Sequence, residues 1–390
     1  MDVNERLEYL DREYLSDFDV SDVDIHANIE RQAAFDKPVY ETKPYAITED
    51  ESLEDNTYLS YNAVIGTSVD AKLYLAFQIL DYALVMTPGA PVKQALLDAG
   101  ISTDVYSSYE TSLYQPVYSI VAKNSNSKEQ DRFVSVINDT LEKLVKDGIN
   151  ERTIEAGINY YEFKYREADY GPYPKGLMYY LTMMDSWLYD ETKPFIHIEA
   201  GDTFDELKKN ARNGYFEKLI KEYLLDNNHK SIISLVPEYG LEKEKEQKEA
   251  DKLAEYKSTL TNDELEELVK KTKELKEYQE TPSTKEELET IPMLTRADIT
   301  RDVLPLYNEE RSMDGVPVLF HEMSTKKIGY LELVFDADFA ELSELPYLSL
   351  LKQILGVVAA GEYSYTELMD EVNIHTGGID QALVDFSQRK

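Results

Sequence analysis

LYLAFQILDYAL (73–84) and LPYLSLLKQILG (345–356) are two apolar helical stretches set in matching surroundings. Each follows a strand that opens on Tyr-Leu, Tyr58-Leu59 in one case and Tyr330-Leu331 in the other. Each is followed by a glycine turn and a second short helix. Gly361 matches Gly89, and Leu368-Met369 match Leu96-Leu97. The offset is 272 residues by both pairs, 361 − 89 and 368 − 96. A constant offset across a strand, two helices and the turn between them marks the duplication of a whole α/β unit.

Around the first copy the pattern predicts a compact domain over 57–240. Its strands are TYLSYNAVIG, two more near 103–110 and 116–123, and a closing KSIISLVP. Its helices run over about 70–85, from Pro91, and over about 128–147 and 151–168. Proline suits a first turn, Gly100 a left-handed stop and Asn150 an N-cap. YGPYPKG (170–176) interrupts the helical run. The Tyr/Met/Trp stripe at 177–189 has the spacing of a core face.

Residues 1–22 hold an amphipathic helix with Leu7, Leu10, Tyr14 and Leu15 on one face, and 23–56 reads as an irregular connector with Pro38 and Pro44. Residues 241–299 turn abruptly Lys/Glu-rich. Leu253, Tyr256 and Leu260 line one arm and Leu265, Leu268, Thr272 and Leu275 the other; Thr261 and Glu264 form a capping box between them, and Pro282 ends the second arm. This is expected to be an antiparallel helical hairpin. Residues 300–390 begin the second copy: strands GVPVLFHEM and KIGYLELVFDADF joined near Ser324–Lys327, the helix of 345–356, helix SYTELMDEV, and a strand from about Ile374. The second copy lacks the elements that finish the first, so the chain reads as cut from a longer one. The fold class is α+β, a mostly antiparallel sheet covered by helices, duplicated.

Composition excludes several function classes. The chain has 390 residues and a formal net charge of −35, so a phosphate backbone would be repelled, and no basic stripe appears. The charge is first of all a solvated surface. With 30 tyrosines, it also suits an acidic cavity that draws in basic peptides. No apolar run approaches the ~18 residues of a membrane span, and no signal-peptide pattern opens the sequence. The absence of cysteine excludes disulfides, thiolate metal sites and a cysteine nucleophile, and fits a reducing cytoplasm.

Chemistry-bearing motifs are absent. None of the five histidines, His26, His197, His229, His321 and His375, stands three to five residues from another. His321-Glu322 would need a histidine at 325 to make HExxH, and Thr325 is there. No GxSxG, GxxxxGK[ST] or GxGxxG occurs. The residues assign no catalytic side chain, no metal ligand and no substrate contact.

Four segments carry a resemblance: TPGAPVKQALLDAGIS (87–102), EFKYREADYGPYPKGLMYYLTMMDSWLYDETKPF (162–195), NNHKSIISLVP (227–237) and the charged arms ending IPMLTRADI (291–299). Together they resemble the presequence-protease branch of the pitrilysin/insulinase superfamily of inverted-zincin metallopeptidases, over nearly the whole chain. The resemblance implies four similar α/β domains in two halves that close around a peptide chamber. Residues 1–22 would then be the C-terminal helix of a preceding domain, 57–240 a non-catalytic second domain, 241–299 the joining hairpin and 300–390 the start of a third. The family's zinc site is an HxxEH helix with a distal glutamate, in the first domain. Here Tyr74 and Tyr347 fall where a first histidine would, so the resemblance places zinc in the full-length parent and no cofactor in this chain. It implies as partners a peptide substrate and the missing first and fourth domains, or a catalytic partner chain, with no nucleic acid and no membrane.

Two functions compete: wall and hinge of a zinc metalloendopeptidase of unstructured oligopeptides, or a non-catalytic binding or assembly subunit working with a zinc-bearing partner. An unrelated acidic scaffold is a third, resting only on charge and the hairpin.

Overall fold

The computed structural model describes residues 2–19, 29–300, 302–303, 305 and 307–384. Met1 and residues 20–28, His26 among them, lie outside the described residues. Helix α1 (Val3–Glu13) opens on an Asp2–Glu5 capping box and buries none of its residues.

Within the stretch read as a connector lies a strand, β1 (Val39–Ile47). The prolines and charges that suggested a loop are those of an edge strand, where a missing N–H costs no ladder bond. Strand β2 (Thr57–Val64) alternates strictly, with Thr57, Leu59, Tyr61 and Ala63 buried. After it, α2 (Ala71–Asp81) starts on an Asp70 cap and widens into a π turn at Tyr82–Met86. Pro88 and Gly89 (φ +72°) turn the chain into α3 (Pro91–Asp98), and Gly100 (φ +65°) ends it as expected. β3 (Asp104–Glu110) and β4 (Val117–Ser125) make a hairpin. α4 (Gln130–Asp147) and α5 (Glu151–Glu167) follow, the second capped by Asn150. Then come α6 (Lys175–Trp187), α7 (Gly201–Asn210), α8 (Tyr215–Leu219) with a π turn to Leu225, and β5 (Lys230–Tyr239).

The sheet order is β1-β5-β2-β4-β3. Every neighbour is antiparallel except β1 with β5, which run parallel from Val39↔Ser231 to Ile47↔Tyr239. The α+β class is therefore met by a five-stranded, mostly antiparallel sheet. Its inward face (Leu59, Tyr61, Ala63, Tyr118, Ile120, Ala122, Ile232) packs into one core with α2, α4, α5 and α7. α2 is central and apolar nearly all round, the mark of a helix buried on every side. The run Ala71–Asp98 is, contrary to the sequence expectation, long and apolar enough to cross a membrane; 72% of its decisive window is buried inside the protein, as for a core helix.

Beyond the sheet, the two arms form as helices, α9 (Leu241–Thr259) and α10 (Asn262–Glu280), with Thr261 capping the second through Glu264, but the expected apolar seam between them does not close. A short α11 (Lys285–Glu289) follows. Neither arm buries a residue, and Leu253, Tyr256 and Leu275 of the anticipated seam are more than half exposed.

In the second copy the hairpin differs from the one expected. β6 (Asn308–Met313) pairs with β7 (Val316–His321) across Asp314-Gly315, both with positive φ, a two-residue turn that suits strand twist. The segment 328–337 forms no strand. No described residue pairs with it, and a strand without a partner leaves its backbone polar groups to solvent. α12 (Leu345–Ile354) reproduces α2, and Gly361 (φ +62°) reproduces Gly89. α13 (Tyr365–His375) runs through the position where a strand was expected to begin, because the Ser364–Glu367 capping box launches a full helix.

Candidate functional site

The inverted-zincin helix would correspond to α2, so the environment of Tyr74 decides what this unit can do. Alternation on β2 and the apolar stripe of α2 bury Tyr74 to 8% exposure. Its ring stacks on His197, with centroids 3.9 Å apart. Its Oη donates to Asp185 Oδ2 at 2.8 Å, and Thr111 Oγ1 reaches the same oxygen at 3.4 Å. His197 Nε2 lies 2.8 Å from the Ser68 carbonyl, while Nδ1 has no partner. Burial shapes the ionisation throughout. It pushes the Tyr74 phenol and the Asp185 carboxyl up, and lowers His197 to about 4.

At neutral pH His197 is therefore a neutral ring held by stacking, and Asp185 is a carboxylate satisfied by hydroxyls. That is hydrogen-bonded packing in place of a ligand set. Among the described residues no three His, Cys, Asp or Glu side chains converge in a way that could hold a metal. The other described histidines are also dispersed. His229 packs edge-on to Phe35, His321 ends β7, and His375 sits 3.3 Å from Glu371. Tyr347, the second position of interest, is 72% exposed on α12.

The outward face of the sheet offers something different. Strand register aligns Glu41, Ile233, Ser60, Val121 and Tyr106 in one row, and Val39, Ser231, Asn62, Ser119 and Ser108 in the next. Each of these side chains is half-buried or exposed. The surface is broad, mixed in polarity and bounded by the edge strand β3.

α6 departs from the sequence expectation. The Tyr/Met/Trp stripe read as core is only half-buried: Met178, Tyr179, Met183 and Met184 face partly inward, Leu177, Tyr180, Leu181 and Leu188 are each close to or above half exposed, and Ser186 is the buried residue of the helix. The YGPYPKG turn beside it bounds a recess of about 410 Å³, lined by Glu167, Asp169, Tyr170, Tyr173, Lys175 and Tyr330. Tyr330 Oη donates to Glu167 Oε1 at 2.7 Å there. The sequence does not announce Asp185 and His197 as partners of Tyr74, because they reach it only through the packing of α6 and the segment after it on α2.

A central buried helix beneath a five-stranded, mostly antiparallel sheet defines an α+β domain in which, among the described residues, no metal-ligand set converges. The family description "Peptidase M16 inactive domain" matches residues 1–161, and that of the region associated with subfamily C of the same peptidases matches 235–389. The chain belongs to the peptidase M16 family, the pitrilysin/insulinase group. It is 39% identical to Protein HypA of Clostridium perfringens over 389 residues, 100% of this chain and 40% of that protein. It is 30% identical to presequence protease 1, chloroplastic/mitochondrial, of Arabidopsis thaliana, over 94% of this chain and 34% of that protein. The chain thus spans well under half the length of these curated relatives. The solved structure of the periplasmic protease PqqL from Escherichia coli overlaps 60% of this chain and 24% of that one, at 14% identity and a TM-score of 0.42, too distant to carry an argument.

Proposed function

We propose that this chain is the non-catalytic wall and hinge portion of a zinc-dependent metalloendopeptidase that degrades unstructured oligopeptides. The observation that carries the proposal is Tyr74, locked by Asp185 and His197 where the catalytic helix of the family would present its first histidine. The half-exposed outer face of the sheet supplies a wall for an extended peptide, and the net charge of −35 favours basic segments. Zinc would be held elsewhere in the longer protein, where it would polarise the scissile carbonyl and activate water. The absence of cysteine supports a reducing compartment such as the cytoplasm.

Metal analysis and a peptide-hydrolysis assay, run on this chain and on a longer protein containing it, test the proposal. The chain alone is expected to retain no stoichiometric zinc and to cleave nothing, and the longer protein to do both. Hydrolysis by this chain with a bound ion lost in His197→Ala would overturn it. A second reading, an assembly subunit acting with a zinc-bearing partner, is favoured by the exposed apolar side of α6. Its test is co-purification of the chain with an HxxEH-bearing protein.

A further inference from the structure

The recess beside the YGPYPKG turn is built where α5 ends. Ala168, 1% exposed, takes a left-handed conformation (φ +47°) and swings the chain off the helix axis. Asp169 Oδ1 then accepts from the Gly171 amide at 2.9 Å, and Gly171 (φ +58°) folds the turn back. Tyr170 is held edge-on to Tyr179 of α6, with ring centroids 6.1 Å apart. The result is a concavity of about 410 Å³ in which Tyr170, Tyr173 and Tyr330 surround Glu167, Asp169 and Lys175. Its size lies within the ~300–1,000 Å³ typical of small-ligand sites.

The lining decides what chemistry fits. Glu167 Oε1 accepts from the Tyr330 hydroxyl at 2.7 Å, and Asp169 from a backbone amide. Both donors are neutral, so the two carboxylates are oriented without losing their charge. Lys175 Nζ reaches the Glu167 carbonyl at 3.5 Å, a backbone oxygen rather than a carboxylate. Tyr173 and Tyr330 are 62% and 64% exposed, which leaves two large rings uncovered beside the acids. An anion would meet two carboxylates here, and a purely apolar group would strip them of water. A planar cation suits both the rings and the acids. Guanidinium stacks on phenol faces and offers paired N–H donors to a carboxylate, whereas an ammonium is a compact and more strongly hydrated charge.

We propose that this recess is a guanidinium-recognition site that takes an arginine side chain of an extended peptide. Asp169 and Glu167 receive the N–H groups, and Tyr173 and Tyr330 cover the guanidinium plane. Lys175 opposes the ligand and holds its affinity down. That the peptide is a substrate rests on the wall-and-hinge proposal; the selectivity of the recess for guanidinium does not.

Fluorescence anisotropy on the intact chain tests the site, with the peptide Gly-Gly-Arg-Gly-Gly blocked at both ends and labelled with an uncharged dye. Replacing its arginine by citrulline, the neutral isostere, is expected to weaken binding at least tenfold, and replacing it by lysine at least threefold. Asp169→Asn keeps the acceptor for the Gly171 amide, and Tyr173→Ala removes an exposed ring, so each leaves the fold intact. Each is expected to weaken the arginine peptide at least fivefold. Asp131→Asn, the same charge change on exposed α4, is expected to alter it less than twofold, and Lys175→Gln to strengthen it at least twofold. Equal binding of the arginine and citrulline peptides would overturn the site. Equal losses in Asp169→Asn and Asp131→Asn would also overturn it, reducing the effect to the general pull of a chain with a net charge of −35. Neither result bears on whether a longer protein holds zinc, so the two proposals fail separately.

Discussion

Tyr74 carries the most weight of any single side chain. Its hydroxyl is the short hydrogen-bond partner of a mostly buried carboxylate. Tyr74→Phe keeps the ring stacked on His197 but leaves Asp185 with the 3.4 Å Thr111 contact. A buried acceptor stripped of its donor costs about 1–3 kcal/mol. Urea denaturation at pH 7 should register that loss as a lower midpoint with an unchanged slope. His197 adds a pH dependence whose sign is fixed by burial. Its pKa falls from the ordinary 6.5 to about 4 on folding, so between those values the unfolded chain binds the extra proton. Stability is fully present above pH 6.5 and is lost as pH drops toward 4. Asp185 and Asp81, raised by burial, work in the opposite direction. The comparison is therefore between the native chain and His197→Gln, with urea midpoints at pH 7, 6 and 5. The variant is expected to show a distinctly shallower fall, and parallel curves would remove His197 from the account.

Among the elements, the crossing of α2 and α5 depends on Gly157. A Cβ at this position would lie 2.9 Å from Tyr82 Cδ1 and 3.3 Å from Ile79 Cγ2. Gly157→Val, with a bulkier branched side chain, is expected to destabilise by ~1–3 kcal/mol through overpacking, read as a lower melting temperature with the far-UV spectrum retained. No sequence pattern announces such a contact, since a glycine inside a helix looks merely unfavourable until its neighbour is known. What sequence did convey came from local chemistry. The caps at Asn150 and Thr261, the stop at Gly100, the glycine turns at Gly89 and Gly361, and the alternation of β2 all act within a few residues of themselves. Features set by distant partners were hidden. β1 reads as a loop until β5 runs parallel beside it, and 328–337 reads as a strand although no described residue pairs with it. α6 carries a core-like stripe, yet the core is already filled by α2, α4 and α5. The candidate site divides the same way. The missing zinc motif is visible by inspection, whereas the Tyr74–Asp185–His197 arrangement joins three segments more than a hundred residues apart at its extremes.

For the whole molecule the decisive contrast is between a packed sheet unit and the rest. Nearly all the buried residues lie between Thr57 and Ser234, and from Leu241 to Glu362 no described residue is buried. Cooperative unfolding draws its enthalpy from packed structure, at ~0.7 kcal/mol per residue near 60 °C. The unit from Val39 to Tyr239 would then unfold with an enthalpy of about 140 kcal/mol, against about 270 kcal/mol if all 390 residues melted together. Scanning calorimetry of the chain is expected to give one transition near the smaller figure. Amide exchange should agree, with slow exchange in β2, β4, β5 and α2 and fast exchange along α9 and α10, neither of which buries a residue. A single transition near the larger enthalpy, or strong protection in both acidic arms, would mean that the arms and the second copy fold against the sheet unit more extensively than their exposure allows. The wall would then be a rigid body, and a hinge at 241–299 would have no place in it.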